Sequence, residues 1–184
     1  FMVCVMGFSI YETDKWETVY AGIKNGTQIE QSRKDYEAKV KQFGTDGRKE
    51  IVGDNYLDIN DCKYGNNVLL TADAAVGTME AGIIAAKREN GLGGNGIMDE
   101  AEIMTLRVAA NGEPYLKDIA LAIRYAVDHD ADIIMLPVQN TLYPENQKKW
   151  ISEALKYAES KGVFVVTPAW EAAQDLSVVT YYPN

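Results

Sequence analysis

Histidine occurs once in these 184 residues, cysteine twice and proline five times. Two cysteines, Cys4 and Cys62, allow one disulfide or none, which excludes the stapled framework of small secreted domains. No apolar run reaches the roughly 20 residues that a membrane helix needs. The opening FMVCVMGF is apolar but short, has no basic flank and runs into polar residues, so it does not read as a signal peptide. Phe stands first, not Met, which fits a processed or shortened chain. Basic residues are the minority, 18 against 27 acidic, and the net charge is -9. No dense basic patch appears, which excludes the usual nucleic-acid face and weakens any attraction to an anionic membrane. Acidity itself names no partner, because it also serves solubility.

What is present is ordinary for a globular chain: 47% apolar and 24% charged residues. A single domain of this size buries roughly 70% of its extended surface and needs no staple. The first stretch, residues 1–11, reads as a strand on Val3, Cys4 and Val5, loosened at Gly7. Thr27 and Glu30 form a capping box for an exposed helix over 27–43, closed by Gly44. Residues 44–72 are polar and loop-rich. A helix begins near Asp73 and runs to 90; its middle, AGIIAAK, is apolar on several faces and is expected to be buried against a sheet. The glycine-rich GLGGNG (91–96) follows a helix, so it lacks the strand-to-helix context of a nucleotide-binding loop.

The second half alternates regularly. Strands are expected at 101–108, 131–136 and 163–166, with helices at 116–130 and 145–162. Ile119, Ile123, Ala126 and Val127 recur at helical spacing in one helix, and Trp150, Ala154, Leu155 and Ala158 in the other. Short apolar strands alternating with amphipathic helices give an α/β fold, a mostly parallel sheet covered by helices in three α/β/α layers. Sites in such folds lie at the carboxyl ends of the strands. Those ends fall near residues 109, 137 and 167.

The run VGTMEAGIIAAKRENGLGGNGI, then AEIMTLRV, KDIALAIRYAVDHDADIIML and ALKYAESKGVFVV, resembles the subtilisin-like serine proteases, the subtilases of peptidase family S8. The resemblance is strongest over about 50–175 and implies one subtilisin-like domain over 1–184, with 11–49 as a family insertion. It also implies a location outside the cytoplasm, secreted or periplasmic. The chemistry departs from the family at three separated places. The motif His-Gly-Thr-His-Val-Ala-Gly reads Val76-Gly77-Thr78-Met79-Glu80-Ala81-Gly82, which sets Val76 where the general-base histidine belongs. Valine accepts no proton and cannot activate a hydroxyl. The oxyanion asparagine position is Glu171, preceded by Trp170 in place of glycine. A carboxylate there repels a developing oxyanion. The substrate-lining segment after the central strand reads Pro137-Val138-Gln139, and Pro137 has no amide to donate.

The resemblance places the catalytic aspartate on a segment before this chain and the Gly-Thr-Ser nucleophile after Asn184, so it expects a missing first strand and a missing serine helix. No Gly-Thr-Ser occurs here. The leading expectation is therefore a degenerate domain with no catalytic residues. A peptide or protein partner would lie at the former cleft, against Pro137, Val138, Gln139, Glu80, Trp170 and Glu171. One alternative is a piece of a serine endopeptidase whose aspartate and serine lie outside this chain. Another is a hydrolase using carboxylates such as Asp73, Glu80 and Glu171. No cofactor is expected. Calcium, which subtilases use for stability, has weak candidate ligands in Asp54, Asp58 and Asp61, without the spacing of a helix-loop-helix site. His129 reads as an exposed residue at a helix C-terminus, where its charged form is favoured.

Overall fold

The computed structural model describes residues 2–7, 52–69, 74–108, 114–137 and 145–168, with residues 3–7 described as backbone. The helix expected over 27–43 and the insertion at 11–49 lie outside the described residues. The described elements are β1 (Met2–Gly7), α1 (Ala75–Ala85), β2 (Glu102–Arg107), α2 (Leu116–Asp128), β3 (Ile133–Met135), α3 (Glu145–Ser160) and β4 (Phe164–Val166). Each lies within a stretch that the hydrophobic pattern marked out, though not always to its full length. The strands are shorter than their apolar runs because pairing stops where the partner strand stops. Residues 131–136, for example, contribute only Ile133–Met135.

The four strands form one parallel sheet in the order β2-β1-β3-β4. β1 is central: Met2–Gly7 runs in register with Glu102–Arg107 on one side, and Val3–Val5 with Ile133–Met135 on the other. The first strand expected to be missing is thus not missing from the sheet's centre. β1 fills the place between β2 and β3, and among the described strands β2 and β4 are the flanks.

The connections explain the layers. From β1 the chain passes through α1 to β2, then back through α2 across β1 to β3, and onward through α3 to β4. Right-handed crossovers in opposite directions put their helices on opposite faces. α2 and α3 therefore share a face and pack together, while α1 lies on the other against β1 and β2. The result is the expected mixed α/β arrangement, a mostly parallel sheet flanked by helices.

The core forms between the sheet and the α2–α3 face. Leu116, Ile119, Ile123 and Ala126 of α2 meet Ile151, Ala154 and Ala158 of α3 and Ile134 of β3, all fully or almost fully buried. Each large aliphatic chain buried there contributes about 1.5–3 kcal/mol. α2 ends at Asp128 because His129 caps it, its N–H reaching Tyr125 O and Ala126 O. Asp130 then takes φ 63° and Ala131 N returns to Ala126 O.

α1 departs from expectation. It ends at Ala85, not near 90, and none of its residues is fully buried. Val76, Gly77, Glu80, Ala81, Ile84 and Ala85 form a half-buried stripe, while Met79 is 60% and Ile83 56% exposed. Only one side of this helix meets the sheet, so its remaining apolar residues face outward.

Candidate functional site

In a doubly wound parallel sheet, the carboxyl ends of two neighbouring strands part where their outgoing helices leave to opposite faces. Here that switch lies between β1 and β3. Gly7 closes β1, and Leu136 and Pro137 follow β3. Val108 follows β2 and Thr167 follows β4 at the same edge. The N-termini of α1 and α2 rise from this edge, because each helix begins after a strand has ended there.

Val76 is the second residue of α1 and is half-buried. Glu80 stands one turn further on the same stripe. Its Oε2 has no accessible surface and no hydrogen-bond partner. Burial pushes the Glu80 carboxyl above its ordinary value of 4.5, because removal from water disfavours the charged form. Leu136 N donates to Val166 O at 2.8 Å and carries the β3–β4 ladder one step past β3. Pro137, next in line and half-buried, offers no donor to anything lying along the edge. Val138, Gln139, Trp170, Glu171 and Asp73 lie outside the described residues. The structure thus brings Val76, Glu80 and Pro137 to elements of one edge.

The sole histidine is elsewhere. His129 is exposed at the C-cap of α2, stacked on Tyr125 at 3.8 Å between ring centroids. The turn that follows it bonds to the start of β1, Met2 N donating to Asp132 Oδ2 at 2.8 Å and Asp132 N to Met2 O at 3.0 Å. His129 therefore lies at the amino edge, the far side of the sheet from the carboxyl ends. A groove of about 570 Å³ also runs there, between the last turns of α3 and β4, past Leu155, Lys156, Glu159 and Phe164.

The calcium candidates do not converge. Asp54 is buried and its Oδ2 accepts from the ammonium of Lys117 at 2.8 Å, with both side chains at 0% exposure. Asp58 accepts from Asn60 N and Asn60 Nδ2, and Asp61 accepts from Asn55 N at 2.6 Å. These carboxylates shape their own loop. Among the described residues, no three His, Cys, Asp or Glu side chains stand together as metal ligands. This donor set does not fit calcium.

Lys117 went unread in the sequence. It also bonds Asn55 O at 2.8 Å and lies 4.6 Å from the centre of the Tyr64 ring. Its neighbour Asp118 accepts from Tyr64 Oη at 2.5 Å. One signal was available. A lysine in the first turn of a helix opposes the helix dipole and calls for an anion.

A mostly parallel sheet flanked by helices, an α/β/α domain, is the class of protein these elements define. The model of the Subtilase family of peptidases S8 matches residues 33–173, and the chain belongs to that family. A thermophilic serine proteinase of Bacillus sp. (strain AK1) is 30% identical over 165 residues, covering 83% of this chain. The chain spans 39% of that relative's length. No solved structure matches.

Proposed function

We propose that this chain is a non-catalytic subtilase domain that binds an extended peptide or protein segment at the carboxyl edge of its sheet. The observation that carries this reading is the separation of the only histidine from that edge. His129 caps α2 at the opposite end, and the position matched to the family's general base is Val76, in the first turn of α1. Without an imidazole at the edge, a serine hydroxyl brought there has no histidine base. Pro137 removes one amide donor from the strand that would pair with a peptide, while the parallel sheet itself is present. Trp170 and Glu171 belong to the same proposed surface through the family motif. A location outside the cytoplasm is part of this proposal and follows from the family. Among the described residues no helix is long and apolar enough to cross a membrane.

A second reading has its own support. The serine proteinase of Bacillus is more than twice as long as the part aligned, 39% of it. This chain would then be one section of a longer serine endopeptidase, with aspartate and serine supplied elsewhere in the polypeptide. One experiment separates the two. The protein from its native source is treated with a serine-directed phosphonate and offered reduced casein. Retention of casein without label or cleavage is the expected result. Covalent labelling with casein hydrolysis would return the chain to the active proteases.

A further inference from the structure

The loop 54–64 precedes α1 in the chain and is fastened to the first turn of α2, which rises from the carboxyl edge. Its attachment is unusual in kind. Lys117 is a buried cation at the positive end of a helix dipole, where an apolar residue of similar shape would be simpler to accommodate. What the ammonium adds is grip. It holds the Asp54 carboxylate, the Asn55 carbonyl and the face of Tyr64 at once. Tyr64 Oη on Asp118 and the edge-on pair Tyr56–Tyr115, 5.7 Å between centroids, add holds on either side.

The loop is also shaped from within. Asn55 N donates to Asp61 Oδ2, Leu57 N to Asn55 Oδ1, and Asp58 N to Asn55 O. Ile59 packs against the core. A segment so tied to itself moves as a unit, and one clasp can hold all of it.

We infer that Lys117 is a positioning residue that clasps residues 54–64 to the N-terminus of α2 as a fixed wall at the carboxyl edge. What the wall serves rests on the binding reading above; the clasp itself does not.

Hydrogen exchange on the intact chain tests it, with Lys117→Met as the variant and reduced casein as the binding probe. The amides of 55–64 are expected to lose at least tenfold more protection than those of Ile123 and Ala154 in the α2–α3 core. Lys117→Arg, which keeps a cation, is expected to restore most of that protection. Casein retention is expected to fall about tenfold in Lys117→Met. Equal losses in loop and core, or a loop as protected as before, would overturn the clasp. If Lys117→Met does not fold, Asp54→Asn is read by the same comparison. A wild-type chain that retains no casein would sink the binding reading, while the exchange comparison still decides the clasp.

Discussion

Replacing Gly96 by alanine tests how α1 is tied to β2. The loop GLGGNG leaves α1 and folds back along its last turn. Gly96 N donates to Ala86 O at 2.9 Å, Ile97 N to Ile83 O at 3.0 Å, and Met98 N to Ile84 O at 2.9 Å. These bonds satisfy carbonyls that a helix end leaves without partners. The approach is close enough that a Cβ on Gly96 would collide with the backbone of Ala85 and Ala86, reaching 2.8 Å from the Ala85 carbonyl carbon. Backbone atoms cannot swing aside as a long side chain can, so the loop must lift. Lifting it forfeits three hydrogen bonds, each worth about 0.5–1.5 kcal/mol net, or about 2–4 kcal/mol in all. It also draws Gly96 O and Ile97 O away from the Arg88 guanidinium, which bonds them at 2.9 and 2.6 Å. Gly94 is the internal control, because a Cβ there meets nothing within 4 Å. Gly94→Ala is expected to be neutral or to stabilise by up to about 1 kcal/mol through the unfolded chain. Urea unfolding with an unchanged m-value measures both. A Gly96→Ala variant within about 0.5 kcal/mol of wild type, the ordinary range for a surface change, would refute the reasoning. So would equal damage from the two alanines.

Two further outcomes follow from single side chains. Ile123 is fully buried between α2 and its neighbours, so Ile123→Ala should cost about 2–5 kcal/mol in the same unfolding experiment. Glu80 has a folded-state pKa above its unfolded value, so the folded chain holds the proton more tightly and stability falls as pH rises through and above about 4.5. Glu80→Gln should remove that fall and raise the melting temperature at pH 7. A variant that keeps the wild-type pH dependence would show that Glu80 is charged at no cost where it stands.

How much could be read in advance differed by element. α2 and α3 were legible because one face of each is apolar at helical spacing and that face carries the core. β2, β3 and β4 were legible as runs, but their ends depended on partners that no local pattern reveals. α1 was misread for the opposite reason. A helix apolar on several faces reads as fully enclosed, yet Met79 and Ile83 remain open because only one side touches the sheet. Asp54 misled by company. Beside Asp58 and Asp61 it looked like a cation ligand, while its partner Lys117 stands 63 residues away. His129 was placed correctly at a helix end, because the sequence around it is a helix terminus whatever the tertiary fold. At the candidate site, Val76, Glu80 and Pro137 could be located only through the family motif. No local rule distinguishes a valine at an emptied catalytic position from any other valine in a first turn.

The central place of β1 has a consequence in time. Its partners begin at residues 102 and 133, so β1 is made long before either neighbour. At about 5–20 residues per second, β1 waits on the order of ten seconds before both neighbours exist. Until β2 is made, a strand destined for the middle of the sheet has two unpaired sides, and until β3 is made it has one. Long-range parallel pairing is slow in itself. The yield of folded chain is therefore expected to depend on synthesis rate and temperature as well as on final stability.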